Sequence, residues 1–280
     1  MKVHICYRTE YSYGEPVSFS PHLFRLFPKV DRHLNVLRHE FHTNTEAAVH
    51  FRHDLFDNEI ASCFYPDPSR VLSVELELEL EIRPKNPFGF LLEPHALMTP
   101  FSYESAEAQV LEPYLRSGAD IELPFWRAPV KPEPTPDVLV ALNTAIHEHL
   151  EYERRDEGSA LSPIETLRRG RGACRDFAVL LAEKLRGLGI AARLASGYLC
   201  EFGDADKVAE GSLHAWVEAY LPGAGWVGLD PTNGTLCSHH HLTAAVGLTP
   251  AQISPVLGKY YHPKRVASAM QASLKIIPHD

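Results

Sequence analysis

Cys174 is the cysteine whose position in the sequence best suits a nucleophile. It follows the glycine-rich segment Gly170-Arg171-Gly172 and begins an apolar-periodic stretch that predicts a helix from about residue 174 to 186. A thiol at a helix N-terminus lies near unpaired N–H groups and partial positive charge, which favour the thiolate. The same N–H groups can hold a developing oxyanion. The alternative is a small buried core residue, because Cys174 shares a helix face with Phe177 and Leu181.

His214 lies in a stretch of alternating residues, Leu213 to Tyr220, that predicts a β-strand. On this strand His214, Trp216 and Glu218 share one face, and the opposite face is purely apolar. A polar and aromatic face suits the wall of a cleft, where an imidazole can take the proton of a thiol. The alternative is a surface histidine, since the chain contains 16 histidines.

Asp230 follows in the next predicted strand, residues 226 to 230, after a glycine-rich turn. A hairpin centred near residue 222 or 223 pairs His214 with residue 230 or 232. Asp230 then lies opposite His214 or diagonally beside it on the same face. A carboxylate there can accept the Nδ1–H of the imidazole and stabilise the imidazolium. The alternative is a turn carboxylate before Pro231.

Cys174, His214 and Asp230 together have the residue types of a nucleophile, a base and an orienting carboxylate. Their spacing along the chain does not by itself show that they meet in space.

The helices and strands that must position these residues, as predicted from the sequence, indicate an α+β protein. Residues 1–83 have the period of strands, most clearly from Val71 to Arg83, where apolar residues alternate with glutamates. Gly14-Glu15-Pro16 predicts a turn, and residues 19–27 and 34–41 are further strand candidates. Between residues 84 and 136, ten prolines are expected to interrupt any regular element.

The second half of the chain begins with helical spacing over residues 137–188, including the predicted capping box Ser162-Pro163-Ile164-Glu165. Period-two patterns then predict strands at 190–200, 212–221 and 226–230, with a polar loop at 203–211. We therefore expect a β-rich N-terminal domain over residues 1–100, a packed Pro-rich connector over 101–136 and a catalytic domain over 137–280.

Three motifs carry a resemblance to the bacterial transglutaminase-like superfamily. They are Gly172-Ala173-Cys174-Arg175-Asp176-Phe177-Ala178, His214-Ala215-Trp216-Val217-Glu218 and Gly228-Leu229-Asp230-Pro231-Thr232-Asn233-Gly234. Ser196-Gly197-Tyr198 resembles the strand that follows the nucleophile helix in that family. Residues 11–17 and 22–28 resemble its β-rich leading domain, so the resemblance covers nearly the whole chain.

The resemblance implies a papain-like core with a Cys-His-Asp triad, carried here by Cys174, His214 and Asp230. Arg175 departs from the family, in which many members have Gln at this position, and is expected to alter charge or substrate contacts beside the thiol. Asp176 and Glu218 either hold the site by hydrogen bonding or are local structural carboxylates. Tyr152 is a candidate for the second oxyanion donor.

The family also implies a cysteine-nucleophile enzyme that needs no cofactor and acts on amide bonds of a protein or peptide substrate. His214 would take the thiol proton, and the thiolate would attack the carbonyl to form a thioester acyl-enzyme. Water would then give a protease or amidase reaction, and a second amine would give a transglutaminase-type acyl transfer. The sequence leaves this choice open.

Composition and patterning disfavour several other classes of protein. The net charge of −9 disfavours nucleic-acid binding. The sequence contains no run of about 18 apolar residues, so it predicts no membrane-spanning helix. The first residues alternate instead of forming an apolar leader, so a cytoplasmic location is expected. Five widely spaced cysteines without a CxxC pair indicate neither a disulfide framework nor a zinc ribbon. His239-His240-His241 is not expected to bind a metal, because consecutive residues of an extended segment cannot all face one ion.

Two other functions compete with a cytoplasmic enzyme. One is a catalytically silent scaffold that binds a protein or peptide, which the intact Cys-His-Asp set disfavours. The other is a periplasmic enzyme acting on cell-wall peptides, which the missing leader disfavours. Cys6, Cys63 and Cys200 lie in strand-like segments and are expected to be packed thiols.

Overall fold

A computed structural model describes residues 1–43, 46–118, 121–155, 158–200 and 209–279. Its strands are β1 (Lys2–Phe19), β2 (His22–Phe24), β3 (Leu34–Thr43), β4 (Ala48–His53), β5 (Glu59–Phe64), β6 (Ser69–Ile82), β7 (Met98–Thr99), β8 (Glu133–Pro134), β9 (Glu151–Tyr152), β10 (Arg171–Gly172), β11 (Ala192–Cys200), β12 (Ala209–Leu221), β13 (Gly225–Asp230), β14 (Thr235–Leu236), β15 (His241–Gly247), β16 (Val256–Leu257), β17 (Tyr260–Tyr261) and β18 (Ser268–His279). Its helices are α1 (Ser105–Leu115), α2 (Thr135–His149), α3 (Pro163–Arg169) and α4 (Cys174–Gly187), with 3-10 turns at Pro94–Ala96 and Pro250–Gln252.

The N-terminal sheet confirms the alternation predicted over residues 71–83. Strand β6 pairs antiparallel with β1 on one side and β3 on the other. Its inward residues, from Leu72 to Ile82, are fully buried or nearly so, and its glutamates lie on the outer face. Burial of the leucines and solvation of the glutamates therefore determine the register, because a one-residue slip would exchange the two faces.

The turn predicted at Gly14-Glu15-Pro16 was wrong. Strand β1 continues through these residues to Phe19, and its pairing with β6 shifts register between Ser12 and Val17. A bulge accommodates the proline, which has no N–H to donate to a ladder, and the chain continues without reversing.

The end of the chain returns to this same sheet. Strand β18 pairs with β1 from Ser268 to His279, and its Ile276 also pairs with Ala209 of β12. The sheet thus runs continuously from the N-terminal strands to the strand that carries His214. The division of the chain at residues 100 and 136 stays a prediction.

Helix α1 contradicts the expectation that prolines interrupt every regular element between residues 84 and 136. Pro100 and Pro113 are far enough apart for three helical turns, and Pro113 lies in the last turn of α1, where its missing N–H costs one hydrogen bond. This segment packs against the C-terminal half as expected. The Tyr103 hydroxyl donates to the Tyr220 carbonyl (2.8 Å) and accepts from the Ala191 N–H (2.9 Å).

The predicted helices before the candidate nucleophile are present. Pro136 lies in the first turn of α2, and Val138, Leu142 and Ile146 are buried. Ser162 begins α3 by accepting a hydrogen bond from the Glu165 N–H (3.3 Å). The helix ends at Gly170, whose φ of 65° is left-handed and therefore favours glycine.

The second core lies between helix α4 and the sheet formed by β11, β12, β13 and β15. Strand β12 is central, with β11 and β13 antiparallel on its two sides. Phe177, Leu181 and Leu185 of α4 are buried against Val217 and Ala219 of β12. This packing brings the helix N-terminus to the strand that carries His214.

Residues 203–208 of the predicted polar loop lie outside the described residues, and β12 begins at Ala209. Within the described ranges, every helix is too short or too polar to cross a membrane.

Candidate active site

Cys174 is the first residue of α4, as predicted, and its side chain is partly exposed. The turn before it depends on Gly172, because a Cβ there would lie 2.9 Å from the Asp176 Cβ. Such a distance is closer than side chains pack, so only glycine allows Asp176 to fold back over the turn. The thiol is therefore presented at the N-terminus of a rigid helix.

Asp176 holds this turn from inside the protein. Its Oδ2 accepts the Ala173 N–H (2.8 Å), and its Oδ1 accepts the Leu161 N–H (2.7 Å) and a guanidinium N–H of Arg155 (2.9 Å). The carboxylate is fully buried, and these donors replace the water it loses. The contacts favour the site-holding role, one of the two interpretations that the sequence left open.

Strand β12 places His214 at the thiol. The ladder between β12 and β13 ends at the pair Val217 and Leu229. Beyond that point the imidazole of His214 and the backbone N–H of Ala215 both hydrogen-bond the side chain of Cys174. Because His214 is buried, water competes little with these contacts.

Asp230 occupies one of the two positions that the hairpin geometry predicted. The ladder is centred on Gly223, and continuing its register places Asp230 opposite Trp216 and diagonally beside His214. The Asp230 Oδ2 lies 2.8 Å from Nε2 of His214. The expectation that Nδ1 would face the carboxylate was wrong. The ring extends from β12 so that Nε2 points to β13, which leaves Nδ1 for the thiol of α4.

Asp230 is fully buried and accepts hydrogen bonds on both oxygens. Its Oδ1 accepts the N–H groups of Thr232 (2.9 Å) and Asn233 (3.3 Å), and its Oδ2 accepts the Asn233 side-chain amide (2.7 Å). The side chain of Asn143 on α2 donates to the Asp230 carbonyl (3.2 Å). Carboxylate and backbone are thus both held before any substrate binds.

These contacts set the charges of the three groups. Burial alone raises the pKa of the Cys174 thiol, but the hydrogen bond and charge of His214, the Ala215 N–H and the charge of Arg175 lower it below its ordinary value. Burial lowers the pKa of His214, yet Asp230 and Cys174 raise it to about 10. Burial raises the pKa of Asp230, yet its imidazole partners hold it well below its usual range. The arrangement favours a thiolate beside an imidazolium.

The pKa values of the other four cysteines are shifted in the opposite direction from that of Cys174. Burial raises the pKa of Cys6, raises that of Cys63 to about 11 and that of Cys200 to about 12, and raises that of Cys237 well above its ordinary value. Cys174 is thus the one cysteine of the chain whose pKa is lowered.

His241 is the site residue that sequence reasoning missed. Its Nε2 lies 3.1 Å from the Asp230 Oδ2, the oxygen that also faces His214. The neighbouring His240 instead lies with Nδ1 2.7 Å from the Cys200 carbonyl, so the two side chains have different partners. No local pattern distinguishes His241 within its run of three histidines, because its contact depends on how β15 packs beside β11.

Glu218 and Tyr152, two further candidates from the sequence, lie at different places near the site. Glu218 pairs with Arg193 (2.7 Å), which lies over the Trp226 ring. Tyr152 is half-exposed on β9, paired with Gly172 of the nucleophile turn, so its position is compatible with an oxyanion donor. Among the described side chains, Glu93, His95 and Glu104 form a group of metal-type ligands, but all three are exposed.

Comparisons with known proteins cover both halves of the chain. Residues 127–231 match the family model described as the transglutaminase-like superfamily, and residues 3–81 match the bacterial transglutaminase-like N-terminal region. Cys174, His214 and Asp230 all lie inside the first match.

Two relatives and one solved structure are also similar to this chain. An uncharacterized protein of Mycobacterium leprae is 35% identical over 130 residues, which is 46% of this chain and 46% of the relative. An uncharacterized protein of Mycobacterium tuberculosis is 24% identical and matches 99% of this chain and 92% of its own. The structure of a proposed cysteine protease from Cytophaga hutchinsonii superposes with a TM-score of 0.65 at 18% identity, over 100% of this chain and 92% of that one. This superposition shows that the two chains share a fold.

Proposed function

The chain belongs to the bacterial transglutaminase-like superfamily, and on that premise we propose that it is a cysteine-nucleophile enzyme that acts on amide bonds of a protein or peptide. Cys174 is the nucleophile, His214 the general base and acid, and Asp230 the carboxylate that orients His214. The observation that carries the proposal is the continuous hydrogen-bonded series from Cys174 through His214 to Asp230.

The first half-reaction begins from the thiolate–imidazolium pair. The Cys174 Sγ attacks the amide carbonyl carbon, and the C=O electrons move to oxygen, where N–H groups at the α4 N-terminus stabilise the oxyanion. When the oxyanion collapses, the C–N bond breaks and the amine leaves with the proton of His214. The products are a thioester on Cys174, a neutral imidazole and ammonia or an amine.

The second half-reaction resolves the thioester. Water or a second amine gives a proton to neutral His214 as it attacks the thioester carbonyl. The C–S bond breaks, the thiolate returns and the imidazolium is restored. Water yields a carboxylic acid, whereas an amine yields a new amide, so one site supports hydrolysis and acyl transfer. Asp230 stays anionic in both halves and holds His214 in one orientation.

The deciding experiment is the pH dependence of iodoacetamide labelling, resolved by site with mass spectrometry. We expect Cys174 of the wild type to react rapidly below pH 7 and His214→Ala to lose this reaction. Cys6, Cys63, Cys200 and Cys237 serve as internal controls in the same sample. Labelling of Cys174 no faster than an ordinary thiol, and unchanged in His214→Ala, would overturn the proposal and favour a catalytically silent scaffold.

The reaction type is tested next with a glutamine-containing peptide, incubated with and without an added primary amine. Conversion of the side chain to a carboxylate in both samples indicates an amidase. Incorporation of the amine indicates an acyl transferase, and cleavage of the peptide backbone indicates a protease. Cys174→Ser is the control that must lose each product.

A further inference from the structure

Asp230 hydrogen-bonds two imidazoles through one oxygen. Its Oδ2 lies 2.8 Å from Nε2 of His214 and 3.1 Å from Nε2 of His241. The carboxylate is fully buried, and the His241 side chain is only 6% exposed. Both contacts are therefore sheltered from water. Hydrogen bonds to a charge are strongest in such buried surroundings.

The contact of the second ring nitrogen of His241 indicates which nitrogen donates to Asp230. Its Nδ1 lies 3.4 Å from the backbone nitrogen of Ser238, whose N–H donates to it. A nitrogen that accepts an N–H offers its lone pair there, so Nε2 is the nitrogen whose N–H is directed at Asp230. The ring is also held edge-on against Trp216, with centroids 5.4 Å apart. His241 is thus a fixed donor to the carboxylate.

A second hydrogen-bond donor on Asp230 affects His214 in a definite direction. The hydrogen bond from His241 is stronger when Asp230 is an uncompensated anion than when an imidazolium neutralises it. His241 therefore stabilises the state with neutral His214 more than the state with charged His214. Since the two effects are linked, His241 weakens the hold of His214 on its proton.

We propose that His241 is a positioning residue that acts through Asp230 to lower the proton affinity of His214, so that the imidazolium can release its proton to the leaving amine. This inference rests on the proposed function of Cys174, His214 and Asp230. General acid catalysis is most efficient when the proton affinity of the acid is matched to the working pH.

The other titratable groups around the pair have separate partners or do not change charge. Cys174 and Arg175 lie on α4, and Arg175 contributes a constant positive charge. The thiol of Cys237 near Asp230 keeps its proton, because burial and the charges of Asp230 and Glu218 raise its pKa, against a weaker opposite effect of Lys85. His147 of α2 contacts the Thr232 carbonyl (2.7 Å) rather than the carboxylate.

The test compares His241→Phe, which removes the donor, with His241→Gln, which keeps a side-chain N–H. Both are compared with His240→Phe, which removes the adjacent imidazole that contacts the Cys200 carbonyl. The readout is the pH midpoint at which His214 loses its proton, followed by NMR in protein labelled with 15N-histidine. His241→Met replaces His241→Phe if the latter does not fold, as judged by circular dichroism.

Loss of the donor should stabilise the thiolate–imidazolium pair. We expect this midpoint to move up in His241→Phe by about half a pH unit or more, whereas His241→Gln and His240→Phe keep the wild-type midpoint. In protein labelled with 15N-histidine, His214 of His241→Phe should stay protonated to higher pH than in the wild type. Turnover of an amide substrate should fall in the same variant, because proton release becomes slower.

The outcomes separate this inference from the proposed function. If labelling of wild-type Cys174 does not depend on His214, both fail. If it does depend on His214 but the midpoint of His241→Phe is unchanged or moves down, only the inference about His241 fails. A merely structural role would lower stability without moving the midpoint upward, and would not be rescued by glutamine.

Discussion

Asn58 and Val246 are joined by two hydrogen bonds that link the N-terminal region to the sheet of the candidate active site. The Asn58 Nδ2 donates to the Val246 carbonyl (2.8 Å), and the Val246 N–H donates to the Asn58 Oδ1 (2.9 Å). Asn58 is fully buried. Phe56, two residues earlier, packs against the buried cluster that includes Trp216, the neighbour of His214 on the same strand face. The N-terminal region thus packs against Trp216, on the strand that carries the candidate base His214.

Replacing Asn58 by alanine should destabilise the whole protein. The substitution leaves a buried N–H and a buried carbonyl of Val246 without partners, which costs about 3 kcal/mol in the free energy of unfolding. Urea unfolding measures the loss, and Asn35→Ala is the control, because Asn35 donates only to the Glu81 side chain on the outer sheet face. Equal stability of the two variants would contradict the linking role of Asn58.

Replacing Asp176 by alanine should lower both stability and thiol reactivity. The buried Ala173 N–H, the partly buried Leu161 N–H and the Arg155 guanidinium lose their acceptor, at a cost of about 3–5 kcal/mol. The turn before Cys174 then loses its support, so labelling of Cys174 should slow toward that of an ordinary thiol. Glu165→Ala is the control, since Glu165 pairs with Arg168 and Arg169 on the exposed side of α3 and should change stability little. Rapid labelling in Asp176→Ala would show that the turn is rigid without this carboxylate.

The stability supplied by the His214–Asp230 pair should depend on pH in a defined window. The pKa of His214 is raised from 6.5 to about 10, so its contribution is complete below pH 6.5 and is lost as the pH rises toward 10. The pKa of Asp230 is lowered from 3.8, so its contribution is present above pH 3.8 and is lost as the pH falls further.

Both contributions are therefore complete between about pH 4 and 6.5. Urea unfolding of wild type and His214→Phe should show the largest stability difference in this window and a smaller one on either side. A difference that grows from pH 7 to pH 10 would mean that His214 is neutral in the folded protein.

Replacing Gly172 by alanine should disturb the nucleophile turn. The new Cβ would lie 2.9 Å from the Asp176 Cβ and 3.0 Å from its Oδ2, so the buried carboxylate must move. Overpacking of this kind costs about 1–3 kcal/mol, and labelling of Cys174 should slow with it. Gly187→Ala at the other end of α4 meets no atom within 4 Å and should be neutral or stabilising by up to about 1 kcal/mol. If both variants label Cys174 at the wild-type rate, the turn tolerates a Cβ at residue 172 and the prediction is wrong.

Much of the fold could be predicted because the spacing of apolar residues along the chain reflects which side chains are buried. The alternation in β6 follows from one face being buried and the other carrying glutamates, and that in β12 from an apolar face that packs on α4 and an opposite face that carries His214. The start of α4 at Cys174 follows from the glycine-rich turn and the apolar spacing that comes after it. The short connection after β12 limits the hairpin to a few registers, so Asp230 could be expected beside His214 from chain length alone.

Only the tertiary structure decided which atoms meet. Contact of Cys174 with His214 requires α4 to pack on β12, and the use of Nε2 rather than Nδ1 toward Asp230 depends on the angle at which the ring leaves the strand. The return of β18 to β1 joins residues at opposite ends of the chain. His241 reaches Asp230 because β15 packs beside β11. Residue types and spacing determine elements, since these depend on neighbours in the chain, whereas the contacts between elements depend on how their buried faces fit together.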